Sequence, residues 1–291
     1  MTSRPTLSLC MIVRNEEENL GRCLAGVKHL VDEMVIVDTG STDRTREVAE
    51  AYGARVFSHP WSNDFAAARN YALEKAEGRW ILVLDADEVL APVAPEKLAS
   101  LLVTPEIEGY YLHIYNLQDD GTVAHDLAVR LFKNRPEYRF TGPIHEQVAG
   151  AIQEKNGGKG LGLAELVVYH RGYLRAAVVA KKKRCRNVAI IRRALRRAPD
   201  DPFLRFSLGI EYYQAGKFPR GLAELERALA LMSGREGYFR EAVILVAAGL
   251  LRTGAEERLR EFLPKALSMF PDDAVLRLFA GHLCPTGKEG E

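Results

Sequence analysis

Two aspartates one residue apart, Asp85 and Asp87, follow the apolar run at 80–84 and lead directly into Glu88. Carboxylates leaving a hydrophobic strand at its end suit a hard divalent cation shared with phosphate oxygens. Magnesium and manganese take one or two carboxylates and complete their shell from the substrate. Asp-x-Asp alone is a common acidic turn, so the metal reading draws its weight from the residues around it. His170, in Tyr169-His170-Arg171-Gly172-Tyr173, ends a later apolar run and offers an imidazole as a metal ligand. Arg69, in Phe65-Ala66-Ala67-Ala68-Arg69-Asn70, offers a planar guanidinium suited to a diphosphate, with a surface arginine as the alternative. His145 and Glu146 follow the turn Thr141-Gly142-Pro143, and either can serve as the general base that an acceptor nucleophile requires.

A second group surrounds Asp38-Thr39-Gly40-Ser41-Thr42-Asp43. Asp38 can accept from a nucleobase N–H or a ribose hydroxyl, Gly40 permits the tight turn, and Ser41 or Thr42 caps the next helix. Capping accounts for Ser41, Thr42 and Asp43, whereas Asp38 calls for a ligand. Asn15 and Glu17, after the first apolar run, can contact a nucleoside, while Glu16 and Glu18 read as carboxylates favoured at a helix start. Asn63 or Asp64 is a sufficient N-cap for the helix carrying Arg69.

The elements that must position these groups follow from periodicity. Short apolar runs at 7–13, 34–37, 54–57 and 80–84 alternate with amphipathic stretches at 20–30, 42–52 and 65–76. This is the βαβ pattern of a mostly parallel sheet covered by helices. Ligands of such sheets bind outside the carboxyl ends of the strands, where all three acidic turns fall. Runs at 110–115, 127–133 and 166–169 predict further strands that complete the sheet in antiparallel fashion. From about 181 the pattern is helix after helix. Pro199, Leu208, Gly209, Tyr212, Gly216 and Ala228 fit the 34-residue tetratricopeptide pattern, and Gly254, Ala266 and Pro271 fit a following repeat displaced by about four residues. Two domains are expected, 1–175 and 176–291.

Composition narrows the partners. Among 291 residues, 40 basic and 39 acidic side chains leave a net charge of +1, so no global field argues for nucleic acid. The cluster from Lys181 to Arg197 is the one local concentration of positive charge. It reads as a solvated helix face, because Val188, Ile191 and Leu195 give that helix an apolar side, and it leaves a peripheral contact with anionic lipid open. Cys10, Cys23, Cys185 and Cys284 form no Cys-x-x-Cys pair and read as reduced thiols. The first apolar run is too short to span a membrane, and Arg14-Asn15-Glu16-Glu17-Glu18 follows it, which predicts neither a signal peptide nor an anchor and so a cytoplasmic protein.

Four segments taken in order, Ser8 to Glu17, Val35 to Asp43, Phe65 to Asn70 and Leu84 to Glu88, resemble the family-2 glycosyltransferases of GT-A fold over about residues 6–175. With the helical repeats behind them, they resemble in particular the sublancin-type peptide S-glycosyltransferases. The resemblance implies a Rossmann-like mixed sheet and inverting transfer of a hexose from a UDP-sugar to a protein, peptide or glycan, with Mg2+ or Mn2+ required. It implies that Asp38 reads uracil, that Arg69 lies near the diphosphate, that Asp85 and Asp87 serve ribose and metal, and that His170 completes the metal site. Glu146, with His145 beside it, is then the expected base, and the repeats are an acceptor platform or a homodimer contact. A dinucleotide-dependent dehydrogenase is set aside, because the turn after the first strand is acidic rather than glycine-rich. A non-catalytic UDP-sugar-binding adaptor is the remaining alternative.

Overall fold

The computed structural model describes residues 6–117, 121–170 and 177–283. Arg171, Gly172, Tyr173 and Cys284 lie outside the described residues. The chain divides into two compact units, Met1–Ala177 and Val178–Glu291, each described by itself.

The first unit opens with β1 (Leu7–Val13), buried at six of its seven positions. A near-continuous apolar run is what a strand covered on both faces requires. Helix α1 (Leu20–Val27) buries Leu20, Cys23, Leu24 and Val27, the i, i+3, i+4, i+7 stripe of a helix lying on a sheet. Then come β2 (Glu33–Asp38), α2 (Thr45–Ala51), β3 (Arg55–Ser58), α3 (Phe65–Lys75), β4 (Trp80–Val83), β5 (Glu88–Leu90), α4 (Pro95–Leu102), β6 (Gly109–Leu117), β7 (Val123–Lys133), α5 (Ala149–Lys155) and β8 (Leu161–His170).

The strands form one sheet in the order β3-β2-β1-β4-β7-β6-β8-β5. Strands β3, β2, β1 and β4 are parallel, β7 is antiparallel to both β4 and β6, β8 runs parallel to β6, and β5 pairs antiparallel with β8. From β1 the chain moves first to β2 and β3 on one side and then to β4 on the other. That reversal is the switch point at which an open sheet forms a crevice beyond its carboxyl ends. One core, with Leu9, Leu20, Leu24 and Leu82, lies on the α1 face, and a second, with Val35, Leu73, Val83 and Ile152, lies on the α3 face.

Three elements escape the periodicity. Strand β5 is three residues long and begins with a buried glutamate, and α4 and α5 are about two turns each. The helix expected over 42–52 begins only at Thr45. Asp43 Oδ1 captures Thr45 N at 3.0 Å and Thr45 Oγ1 at 2.5 Å, holding the chain in a turn, so neither Ser41 nor Thr42 caps α2.

The second unit is helical: α6 (Ala177–Leu195), α7 (Pro202–Gln214), α8 (Phe218–Leu231), α9 (Phe239–Arg252), α10 (Glu256–Met269) and α11 (Ala274–Leu283). Helices α7 and α8 approach closely because Gly209 and Gly221 face one another: a Cβ on Gly209 would lie 3.2 Å from the Gly221 carbonyl oxygen. The starts of α7 and α9, Pro202 and Phe239, are 37 residues apart, three more than the repeat length. The connector 232–238 absorbs the excess in a turn, where the Glu236 carboxylate accepts from Ser233 N at 2.8 Å and Gly234 N at 2.9 Å. Among the described residues no helix is long and apolar enough to cross a membrane.

Candidate active site at the carboxyl ends of the strands

The loops after β1 and β2 are sewn together. Asn15 adopts φ 55° and its Oδ1 accepts from Thr42 N at 2.8 Å. Asn15 N in turn donates to Ser41 Oγ at 3.0 Å, and Glu17 Oε2 accepts from Arg44 N at 3.0 Å. Asp38 is buried. Its Oδ1 accepts from Ser41 N at 3.0 Å and Ser41 Oγ at 2.6 Å, and Arg46 lies 3.5 Å from its Oδ2. The expectation that only a ligand explains Asp38 is therefore corrected: the carboxylate closes the turn of its own loop.

Helix α3 begins at Asp64, whose side chain accepts from Ala67 N at 2.9 Å. Asn70 on the same helix clamps the backbone of Phe140 through bonds of 2.8 and 3.0 Å, and Phe65 N donates to Pro143 O at 3.0 Å. These bonds pin the 141–146 turn onto α3 and bring Glu146 to Arg69.

An ionic cluster forms beneath the acidic turn. Arg69 donates through Nη2 to Asp85 Oδ1 at 2.7 Å and through Nε to Glu146 Oε1 at 2.5 Å. Arg130, from β7, reaches Glu88 Oε1 at 2.7 Å and Asp85 Oδ2 at 3.4 Å. Glu88 Oε2 accepts from Asp85 N at 2.8 Å. Burial alone would raise the Asp85 carboxyl, but the two guanidiniums hold it well below the usual carboxylate range. Burial raises Glu88 despite Arg130. Arg69 Nη1 and Arg130 Nε are buried without a partner among the described residues. The guanidinium expected to meet a diphosphate is thus turned inward onto Asp85 and Glu146, and Asp85 has its charge already matched.

Asp87 and His170 meet because β5 pairs with β8 and sets Glu88 opposite His170. Asp87 Oδ2 lies 3.3 Å from His170 Nε2, while His170 Nδ1 lies 2.8 Å from Asn116 Oδ1. Asn116 Nδ2 donates to Asp126 Oδ2 at 2.7 Å. Burial opposes charge on the imidazole, but Asp87 and the carboxylates behind it raise its pKa. Among the described residues no three His, Cys, Asp or Glu side chains gather as a metal cage. A carboxylate and an imidazole side by side nevertheless fit Mg2+ or Mn2+, which take few protein ligands beside a diphosphate. The second imidazole nitrogen is oriented, as in metal-binding histidines generally.

His145, with φ 53°, is exposed on the turn before Glu146. A left-handed conformation at a histidine is uncommon and is held here by the Thr141–Gln147 bridge.

Residues 8–151 match the family model described as Glycosyl transferase family 2. The chain carries a glycosyl transferase family 2 domain. It is 38% identical over 227 residues to a TPR repeat-containing protein of Synechococcus elongatus, a match covering 77% of this chain and 56% of that protein. It is 27% identical over 263 residues to the SPbeta prophage-derived glycosyltransferase SunS of Bacillus subtilis, covering 85% of this chain and 59% of SunS. The chain thus spans little more than half the length of these two relatives. Among solved structures, glucosyl-3-phosphoglycerate synthase from Mycobacterium tuberculosis in complex with Mn2+ and UDP-Glc superimposes with a TM-score of 0.47 at 19% identity, covering 64% of this chain and 77% of that one.

The cluster gathers residues that the sequence did not single out. Arg130 is a lone charge in the apolar segment Ala128-Val129-Arg130-Leu131-Phe132, and a charge in a buried strand requires a partner, so that signal was available. Asn116 and Asp126 carry no such mark. They meet His170 only through the registers of β6 with β7 and β8, which no local pattern encodes.

Proposed function

We propose that the family-2 domain transfers a hexose, with inversion, from a UDP-sugar to a protein, peptide or glycan acceptor, and that Asp87 and His170 hold the divalent metal the reaction requires. The observation that carries this reading is the Asp87–His170 contact at the carboxyl edge of the sheet, beside the Asp85 cluster. Asp38 and Asp85 face the nucleoside, with Asn15 and Glu17 shaping the loop that receives it. Arg69 and Arg130 hold Asp85 ionised and fix its direction, so that an acceptor for a ribose hydroxyl is preorganised. Bound Mg2+ or Mn2+ supplies charge stabilisation for the departing diphosphate.

The acceptor's proton passes to the 145–146 turn. Glu146 is held by Arg69 Nε at 2.5 Å, so we assign it to orienting Arg69 and the proton-accepting role to His145, one residue earlier at the surface.

Calorimetric titration of UDP, UDP-glucose and UDP-N-acetylglucosamine, with and without Mn2+, into wild type and Asp87→Ala tests the reading. Binding that depends on metal and disappears in Asp87→Ala is expected. No binding of any nucleotide under either condition would remove the transferase reading and leave the helical unit as the functional part.

A further inference from the structure

The second unit contains a cavity whose lining includes none of the residues assigned above to sugar transfer. Helix α6 contributes Arg184, Val188 and Arg192, and the α7–α8 corner contributes Glu211, Lys217 and Arg220, to the walls of a cavity of about 470 Å³. That volume lies in the range of ligand pockets. Glu211 is only 4% exposed. Its Oε1 accepts from Asn187 Nδ2 at 2.7 Å, but its buried Oε2 has no hydrogen-bond partner among the described residues. A carboxylate oxygen withdrawn from water without a donor is costly, so the missing donor defines one requirement of a ligand.

The cations around it define the other. Arg192 is already engaged, donating to Tyr212 Oη at 2.6 Å and lying over the Tyr212 ring. Arg184, Lys217 and Arg220 make no ion pair among the described residues, although all three line the same cavity. The ligand must therefore bring an N–H donor to the wall and negative charge to the surrounding cations. Inorganic polyphosphate meets the second demand and fails the first, and it would be repelled by Glu211. A peptide chain carries an N–H at every residue bar proline, and acidic side chains supply the charge.

We infer that this cavity binds an acidic peptide segment, with a peptide N–H or an ammonium on Glu211 Oε2 and carboxylates on Arg184, Lys217 and Arg220. The small and apolar lining of Val188, Ala189 and Ala215 accommodates the chain between these two contacts. Binding here is independent of donor and metal, so it stands or falls apart from the transferase reading.

The test is fluorescence polarisation of a labelled decapeptide of alternating glutamate and glycine with the full chain, at near-physiological salt and without nucleotide or metal. Saturable binding is expected, weakened about tenfold by Glu211→Gln, the loss of a charge-assisted hydrogen bond. A merely cationic surface behaves in the opposite sense, because removing a carboxylate makes it more positive. Unchanged or tighter binding by Glu211→Gln, or no saturable binding by wild type, overturns the site. Arg220→Ala lies at an exposed position and keeps the test decisive should Glu211→Gln not fold: severalfold weaker binding is expected, and equal binding overturns the assignment. Displacement of the probe by tripolyphosphate or a single-stranded oligonucleotide more readily than by unlabelled peptide would reassign the site to phosphate and overturn the peptide class.

Discussion

Asn116 bridges His170 to Asp126, with its Oδ1 at 2.8 Å from His170 Nδ1 and its Nδ2 donating to Asp126 Oδ2 at 2.7 Å. An ionised carboxylate only accepts, so Asp126 fixes which end of the amide it meets and turns the oxygen toward His170. With Nδ1 donating to Asn116 Oδ1, Nε2 is the nitrogen that faces Asp87, and the proton it shares with that carboxylate is the one that would have to leave for a metal to be held there.

From this relay, Asn116→Ala is expected to weaken Mn2+ binding in the presence of UDP about tenfold, the usual scale for loss of a residue that orients a metal-binding histidine. Titration followed by Mn2+ electron paramagnetic resonance reads the affinity without turnover. Asn116→Asp, which retains an acceptor for Nδ1, should recover part of the loss. Equal affinities in wild type and Asn116→Ala would show that His170 needs no such support, whereas a wild type that binds no Mn2+ would count against the metal site itself.

Arg69 supplies the positive charge between Asp85 and Glu146, at 2.7 and 2.5 Å. Arg69→Met leaves two poorly hydrated carboxylates facing each other, and a loss of about 3 kcal/mol is expected from urea unfolding of the first unit. Arg69→Lys keeps the charge but not the fork and should fall between the two. A stability within about 0.5 kcal/mol of wild type in Arg69→Met would mean that solvent already screens the cluster.

The sheet was legible because its central strands are buried on both faces and therefore almost wholly apolar, as in residues 80–83 and, Ser8 apart, 7–13. The acidic turns were legible because carboxylates seldom end such runs without reason. Partnership was not. Asp38 reads in sequence as a residue awaiting a ligand, yet Ser41, three residues on, accounts for one of its oxygens. Glu146 reads as a base, yet it lies against Arg69, 77 residues away in the chain. Side-chain pairs of that separation depend on how the 141–146 turn docks on α3. The same holds for β5, whose three residues become a strand only through pairing with β8.

Glu108 gives the first unit an acid-sensitive clasp. Burial alone would raise its carboxyl, but hydrogen bonds from Arg135 Nε at 2.6 Å, Lys133 Nζ at 2.9 Å and Tyr138 Oη at 2.7 Å bring it down to about 2 from an ordinary value near 4.5. A depressed folded-state value means that the unfolded chain binds the proton more readily. The stabilisation is therefore complete above about pH 4.5 and is lost as the pH falls toward about 2. Because Arg135 is half exposed, a contribution of about 1–2 kcal/mol is expected rather than the full value of the shift. Glu108→Gln should flatten the fall in urea stability across that window. An identical acid limb in wild type and Glu108→Gln would assign acid sensitivity to other carboxylates.

In the helical unit, Gly249 on α9 is a position where one methyl group is too many. A Cβ there would lie 1.7 Å from Tyr213 Oη, 2.9 Å from Tyr213 Cζ and 3.1 Å from Leu222 Cδ1. The tyrosine is not free to swing away, since its hydroxyl donates to Leu245 O at 3.1 Å and its ring lies 5.5 Å from that of Phe218. Gly249→Ala is therefore expected to destabilise the helical unit by about 1–3 kcal/mol through overpacking, despite the better helix propensity of alanine, which is worth about 1 kcal/mol in its favour. Thermal unfolding followed by the far-UV helical signal measures it. Adding Tyr213→Phe removes the atom at 1.7 Å, so the double variant should lose less than the sum of the two single changes. Simple additivity would place the cost of Gly249→Ala elsewhere in the α9 packing.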